Sequence, residues 1–279
     1  MLTFIIAFVV AAAAAYFSYN AGNGEHWGYA ILAFLAGMLA VLVPINLYIR
    51  KKMNAVFTGI QNELMEAQNR LRVKANAMVN KGITGSKAMA QLEAEQAEAY
   101  RHAMIPLDGI RKFQLWNPLA QKQADMLKGQ LLYQLKDYDA ARPVLERVMV
   151  LDPMILCMKM VLQWKKDPED LAAIEKLFKK HISRFKYEKG TIVYALYSWI
   201  LVKQNKLTEA VTLLDEAKSK TEDPVISQNW EHLANKRLTR FSNAGLGEQW
   251  YALGLEQPAP VRMTQQDRFG GRPRGGFRR

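Results

Sequence analysis

The chain has 279 residues, half of them apolar, and it carries a formal net charge of +12. Residues 50–81 hold seven Lys or Arg against two Glu, and residues 262–279 hold six Arg against one Asp. Cys157 is the single cysteine, which excludes an intrachain disulfide and favours a small buried side chain over a nucleophile.

Phosphate-binding glycine loops and nucleophile elbows do not occur in the sequence. We therefore predict neither an enzyme nor a cofactor, and the histidines stand too far apart to share a metal: His26, His102, His181 and His232.

Two apolar runs near the N-terminus predict membrane-spanning helices at about residues 2–19 and 28–49. The second run is long enough to cross a bilayer, whereas the first is short and has an alternative interpretation as a cleaved signal peptide. The segment between the runs has no Lys or Arg, and Arg50–Lys52 follows the second run directly. By the positive-inside rule, this predicts a multi-pass anchor over residues 1–52 with the rest of the chain in the cytoplasm.

Small side chains recur every three or four residues in the second run, at Ala33, Ala36, Gly37 and Ala40. Such a face lets two membrane helices approach closely, so it predicts packing against the first run. The alternative is that these small residues simply face lipid.

Residues 53–104 have the pattern of an amphipathic helical hairpin that stands on the membrane. The segment GITG at residues 82–85 interrupts the pattern, and Ser86 is placed to cap a second helix with Met89, Leu92 and Ala103 on one stripe. A coiled-coil stalk that forms a homo-oligomer is the competing prediction. The basic residues near the membrane suit anionic head groups, with an ordinary solvated face as the alternative. The apolar residues of the first helix follow alternating steps of four and three, with Lys74 as an interruption: Met53, Phe57, Ile60, Leu64, Ala67, Leu71 and Met78.

Residues 105–118 contain the loop signals IPLDG and WNP, and the segment that follows, residues 128–153, carries a helix–turn–helix pattern. Gly129 and Ala141 suit a close crossing of two helices, and Pro153 is expected to end the second helix. The order and spacing resemble one unit of the tetratricopeptide repeat, a module of about 34 residues. A matching unit spans residues 191–224, where Ala210 lies 69 residues after Ala141.

The resemblance implies an all-α fold in which residues 105–257 form a short tetratricopeptide-like α-solenoid. A less regular helix pair lies between the matching units, with Asp167 and Pro168 predicted to begin its second helix. Residues 225–242 are predicted to form a closing helix with Trp230, Leu233 and Leu238 inward, and residues 245–256 to form a short appended helix. The whole layout is similar to that of bacterial inner-membrane proteins of the HemY type, which also place two spans before such repeats.

This resemblance also implies a partner-binding groove, because repeats of this family bind ligands on the concave face lined by first helices. Some family members bind a peptide carboxylate with Lys and Asn, a set that this sequence lacks, so we expect an amphipathic protein segment instead. Tyr133 and Trp199 have an alternative interpretation as packing residues between repeats. The predicted groove residues are Gln123, Met126, Gln130, Tyr133 and Gln134 in the first unit, and Ile192, Ala195, Trp199, Val202 and Lys203 in the second.

The last 22 residues, 258–279, form an Arg/Gly-rich tail that lacks a core-forming pattern and is predicted to be disordered. Such a tail suits loose binding of RNA or anionic lipid, which is our second functional hypothesis after a membrane-tethered protein scaffold; the alternative is that the tail only aids solubility. A basic run over residues 176–189 includes Phe178, Phe185 and Tyr187, for which core packing beside a solvated lysine face is the alternative to nucleic-acid contact. The tail arginines are Arg262, Arg268, Arg272, Arg274, Arg278 and Arg279.

Overall fold

The computed structural model describes residues 2–21, 27–81, 83, 86–113, 116 and 118–257. These residues form helices and connecting turns without any β-strand, which confirms the all-α prediction. Single 3₁₀ turns occur at Ile110–Phe113, Ile182–Arg184, Leu238–Arg240 and Ala244–Leu246. The α-helices are α1 (Leu2–Ala21), α2 (Trp27–Asn80), α3 (Ser86–Gly109), α4 (Pro118–Gln134), α5 (Tyr138–Arg147), α6 (Pro153–Lys166), α7 (Leu171–His181), α8 (Glu188–Lys203), α9 (Leu207–Thr221), α10 (Pro224–Ala234) and α11 (Glu248–Tyr251).

Helices α1 and α2 both contain stretches long and apolar enough to cross a membrane. The two helices pack closely, as the small-residue face predicts. A Cβ atom added at Gly37 would lie 3.2 Å from the Cα atom of Ala11 and 3.3 Å from the Cβ atom of Ala14. Phe8 and Phe34 add an edge-to-face ring contact with centroids 5.7 Å apart. This pairing brings the end of the second apolar run beside the start of the first.

Helix α2 does not stop where its apolar stretch ends. It continues through Pro44 and the basic residues at 50–52 to Asn80, a total of 54 residues. At about 1.5 Å per residue this corresponds to a rod of roughly 80 Å. The predicted border between anchor and hairpin at residue 52 therefore lies inside one continuous helix.

The apolar seam predicted in the later half of α2 is the face that packs against α3. Met53, Ile60 and Ala67 are buried along it. The helices run antiparallel, because Lys74 pairs with Glu95 near the connection and Glu63 contacts His102 further away from it. Lys74, which interrupts the apolar pattern, thus has an acidic partner on α3.

Two expectations for α3 are wrong in detail. Met89 was predicted to be buried but is 61% exposed, and Ala88 is buried instead. The buried stripe of α3 therefore includes the residue four positions before Leu92 and not the one three positions before it. The IPLDG segment is helical and not a loop, so α3 runs through Pro106 to Gly109. Burial of three apolar side chains against α2 and α4 offsets the hydrogen bond that proline removes: Ala103, Leu107 and Ile110.

Helices α4 and α5 form the hairpin of the first repeat-like segment. The Asp137 carboxylate accepts a hydrogen bond from the Ala140 amide at 3.2 Å and caps α5. Pro153 does not end α5, which stops at Arg147; it is the first residue of α6, capped by Asp152. Proline is tolerated at this first position because the amide hydrogen it lacks has no helical partner there.

The chain divides into two compact units, Met1–Ile174 and Glu175–Arg279. The border falls inside α7, which begins at Leu171 and not at Pro168, because the Asp170 carboxylate caps it by accepting from the Ala173 amide at 3.1 Å. In the second unit α8 packs against α9 and α10. Helix α10 ends at Ala234, so Leu238 lies outside it and is 43% exposed, contrary to the inward position predicted for it.

Candidate functional site

The groove residues predicted in the first unit lie along α4. Gln123 and Gln134 are exposed, and Met126 and Gln130 are half-buried. Their spacing of three, four and four residues places them on one stripe of the helix. The stripe therefore presents amide groups and one thioether on the surface of the first unit.

Tyr133, the fifth predicted residue, points into the unit and is only 2% exposed. Its ring contacts Tyr138 edge to face with centroids 5.4 Å apart. Burial raises the pKa of its phenol, and nearby Tyr138 and Cys157 raise it further, so the side chain is neutral. The packing interpretation of Tyr133 matches this environment, and a partner on the α4 surface would not reach the ring.

A cleft beside the α4 stripe lies between α3 and α4 and has a volume of about 340 Å³. Ala90, Ala94 and Ala97 of α3 line it together with Gln134 of α4. Small side chains leave room for another chain to approach closely. The sequence analysis missed the part played by α3, although the four-and-three spacing of these alanines was a readable signal.

The rim of this cleft is polar. Glu93 and Lys136 lie at it with opposite charges, and the Gln96 side-chain amide donates a hydrogen bond to the Tyr100 hydroxyl at 3.0 Å. A segment with small or apolar side chains on one face and polar groups along its edges would match this surface.

In the second unit the predicted groove residues belong to α8, and most of them are buried. Ile192 and Ala195 lie in the interior, Val202 is half-buried, and Trp199 is 5% exposed. Lys203 remains at the surface, with its Nζ atom 5.1 Å from the centroid of the Trp199 ring. The α8 face therefore does not form an open groove in this structure.

The cover over that face is the C-terminal segment of the chain itself. Trp250 packs edge to face on Trp199 with ring centroids 6.1 Å apart. Each indole Nε1 donates a hydrogen bond of 2.7 Å to Glu256, Trp199 to one carboxylate oxygen and Trp250 to the other. The Asn243 side-chain amide donates to the Ala195 carbonyl at 3.0 Å. The α8 face is thus occupied by an intramolecular contact with the C-terminal segment.

A buried amide pair secures this segment. Asn229 of α10 donates to the Asn243 side-chain oxygen at 2.8 Å and accepts from the Ser242 amide at 3.0 Å. Both asparagines are almost fully buried, and buried amides are costly unless they are hydrogen-bonded. The order of the C-terminal segment therefore depends on a specific polar network as well as on apolar contact.

The basic run in the second unit follows the packing interpretation. Phe178 and Phe185 are buried, whereas Lys176 and Lys180 are exposed on the outer face. A cavity of about 720 Å³ lies next to this run, and Tyr187 at its edge is 70% exposed. Its lining carries three basic and three acidic side chains, so it has no net charge to select an anion: Arg184, Lys186, Lys189, Glu188, Glu222 and Asp223.

The described residues carry neither a metal-binding cluster nor an activated cysteine. Those residues hold no group of three or more His, Cys, Asp or Glu side chains placed to bind a metal. Cys157 is fully buried, and burial together with the nearby Asp152 carboxylate raises the pKa of its thiol. A raised pKa disfavours the thiolate, which is the nucleophilic form. The six tail arginines lie outside the described residues.

Comparison of the chain with protein-family models, with curated proteins and with solved structures found no match. The tetratricopeptide resemblance therefore rests on the residues of the two helix–turn–helix segments themselves.

Proposed function

We propose that this protein is a membrane-tethered helical scaffold and not an enzyme. It binds a protein partner at the cytoplasmic face of the inner membrane and serves in the assembly or regulation of a membrane complex. The observation that carries the proposal is the open cleft between α3 and α4, bordered by the glutamine stripe of α4. Because α3 packs on α2 and all three helices contribute to one buried cluster, the cleft would be held close to the proposed membrane anchor.

The repeat-like hairpins support this proposal. In α4 and α5 a glycine meets a leucine at the crossing, and Ala141 is completely buried. In α8 and α9 the corresponding Ala210 and Leu214 are also completely buried. Each hairpin thus has the packing expected of a tetratricopeptide-like unit, and partner binding is the usual role of such units.

The partner that best fits the cleft is an amphipathic helix. Its small apolar side chains would lie over Ala94 and Ala97, while its polar edge would meet the amide of Gln134. Main-chain groups of a helical partner bond internally, so a cleft with an alanine floor costs such a partner little desolvation.

Site-specific photo-crosslinking in intact membranes tests this role. A photoreactive residue at Gln134 should capture a discrete partner, and one at the exposed Glu146 of α5 should not. Ala94→Arg should abolish capture by filling the cleft, whereas Ala77→Arg on the exposed side of α2 should leave it intact. Equal capture by the two Arg variants would contradict the proposed site.

A second candidate function is binding of RNA or anionic lipid through the tail. The observation that favours it is the local charge, since residues 262–279 hold six Arg against one Asp. Arginine-rich segments of this kind bind polyanions through phosphate contacts and need no folded surface.

A further inference from the structure

An apolar cavity of about 500 Å³ lies at the end of the second membrane-type stretch. One wall consists of Pro44, Ile45, Tyr48 and Ile49 on one face of α2, and the other wall is Trp116 from the connection between α3 and α4. The volume falls within the range of about 300–1,000 Å³ that is common for small-molecule sites. Its lining is almost entirely carbon, so it suits a hydrocarbon ligand.

The Trp116 wall is held in place from two sides. The Thr3 hydroxyl, which is almost completely buried, donates a hydrogen bond to the Trp116 carbonyl at 3.1 Å. The Trp116 side chain also packs against the buried cluster that contains Ile49 and Ile110. The cavity is therefore built where α1, α2 and the α3–α4 connection meet, and both the backbone and the side chain of Trp116 are in contact with neighbouring elements.

The cavity lies close to the basic residues that follow the apolar stretch. Pro44 and Arg50 are six residues apart on one helix, about 9 Å along its axis. Lys51 and Lys52 continue the basic run, and the Lys52 Nζ atom lies 5.4 Å from the centroid of the Tyr48 ring. One cation is thus directed back to the mouth of the cavity.

We propose that this cavity binds one anionic phospholipid, with an acyl chain between Ile45 and Trp116 and the headgroup phosphate at Lys52. The inference rests on the proposed membrane insertion, which places residues 44–52 at the boundary between hydrocarbon and headgroups. Aromatic residues such as Tyr48 and Trp116 are common at that depth. The adjacent cations select a negative headgroup, with each cation changing the affinity by roughly fivefold.

A peptide segment or a second copy of the chain would fit this cavity less well. A peptide backbone carries hydrogen-bonding groups that must be satisfied, and the apolar lining offers them few partners. A lipid acyl chain has no such groups, and its headgroup would meet the basic run at the cavity mouth.

Native mass spectrometry of the full chain in a mild detergent tests the site, with added phosphatidylglycerol or phosphatidylcholine as the probe. The wild-type chain should retain one phosphatidylglycerol at least fivefold more tightly than phosphatidylcholine. Ile45→Trp fills the cavity and should lower phosphatidylglycerol retention at least fivefold. Leu39→Trp also introduces a tryptophan, but at an exposed position of the same helix, and should leave phosphatidylglycerol retention unchanged.

The charged part of the site has its own matched pair of variants. Lys52→Gln should weaken phosphatidylglycerol binding about fivefold and leave phosphatidylcholine unchanged, whereas Arg70→Gln further along α2 should alter neither. Equal retention by Ile45→Trp and Leu39→Trp, or equal retention of the two lipids by the wild type, overturns the lipid site.

Alkaline extraction of membranes tests insertion separately. A chain released by alkali overturns the proposed anchor as well, while an inserted chain without lipid selectivity overturns only this inference.

Discussion

At the residue scale, Gly129 marks a close contact between the two helices of the first repeat-like hairpin. A Cβ atom added there would lie 2.6 Å from the Cδ2 atom and 2.7 Å from the Cγ atom of Leu145, a side chain that is completely buried. Gly129 therefore sets how closely α4 and α5 approach. The sequence analysis identified this glycine from its spacing to Ala141, and the geometry gives the physical reason for it.

Gly129→Ala adds a Cβ atom that overlaps the buried side chain of Leu145, and overpacking of this kind costs about 1–3 kcal/mol. The change also removes the helical penalty of glycine, worth about 1 kcal/mol, so the free energy of unfolding should fall by up to about 2 kcal/mol net. Gly59→Ala is the matched control, since a Cβ at Gly59 meets nothing within 4 Å and should leave stability unchanged or raise it. Thermal unfolding of the full chain in detergent, followed by circular dichroism, measures both, and equal effects would contradict the crossing at Gly129.

Glu256 is the residue on which the C-terminal cover depends most directly. Glu256→Ala removes the acceptor of two indole N–H groups, and each donor left unsatisfied costs about 1–3 kcal/mol. We expect a lower unfolding temperature of the second unit and a change in tryptophan fluorescence as Trp199 and Trp250 separate. Glu231→Ala, an exposed carboxylate on α10, should change neither quantity. An unchanged emission spectrum in Glu256→Ala would mean that the two hydrogen bonds do not hold the segment.

At the scale of elements, the sequence predicted best the long helix face of α2 that α3 buries. The α2 seam was readable because its apolar residues recur at steps of four and three over many turns. The α3 stripe is shorter and rich in alanine, so its pattern fits either Ala88 or Met89, and hydropathy favoured the wrong one. The expectation that proline marks a loop was wrong at Pro106, because burial of the flanking side chains outweighs the one hydrogen bond that is lost.

The seam between α2 and α3 gives an element-scale prediction. Ile60 is 1% exposed there, so Ile60→Ala should destabilise the hairpin by about 2–5 kcal/mol through lost burial and a residual cavity. Met65→Ala, five residues further on the exposed side of α2, should change stability by less than about 0.5 kcal/mol. Hydrogen exchange of the α2 and α3 amides reports both effects locally. Similar exchange in the two variants would show that the seam does not hold the hairpin.

At the scale of the whole molecule, composition and charge were enough to propose an anchor, but they did not reveal what covers α8. Trp199 was predicted to line the groove, with packing between repeats as the alternative, and the structure has it buried. The residue that engages it, Glu256, lies 57 positions later in the chain. No periodicity connects two residues at such a separation, so this pairing requires coordinates. For the cleft between α3 and α4, the alanine spacing in α3 was readable in the sequence, but its pairing with Gln134 of α4 was not.

The membrane orientation is a prediction for the whole chain. Arg50, Lys51 and Lys52 follow the second apolar stretch, and the preceding connection has no Lys or Arg, so the body should stay in the cytoplasm. A reporter that is active only outside the cytoplasm should be silent when fused at Pro258. The same reporter inserted after Asn23, in the connection between α1 and α2, should be active. Activity at Pro258 would reverse the assigned orientation.

The last prediction separates the scaffold from an RNA-binding protein. Each phosphate contact to a single strand contributes about 0.7 to the slope of log affinity against log salt, so RNA held by the tail should bind with a strong salt dependence. Deletion of residues 258–279 should remove that binding, as measured by fluorescence anisotropy with a single-stranded RNA. It should leave partner capture at Gln134 unchanged, because α3 and α4 form the cleft without the tail. Ala94→Arg should abolish partner capture and leave RNA binding unchanged. The cleft is the proposed binding surface. If tail deletion abolishes partner capture while the Ala94→Arg variant still captures the partner, the tail and not the cleft is the binding site.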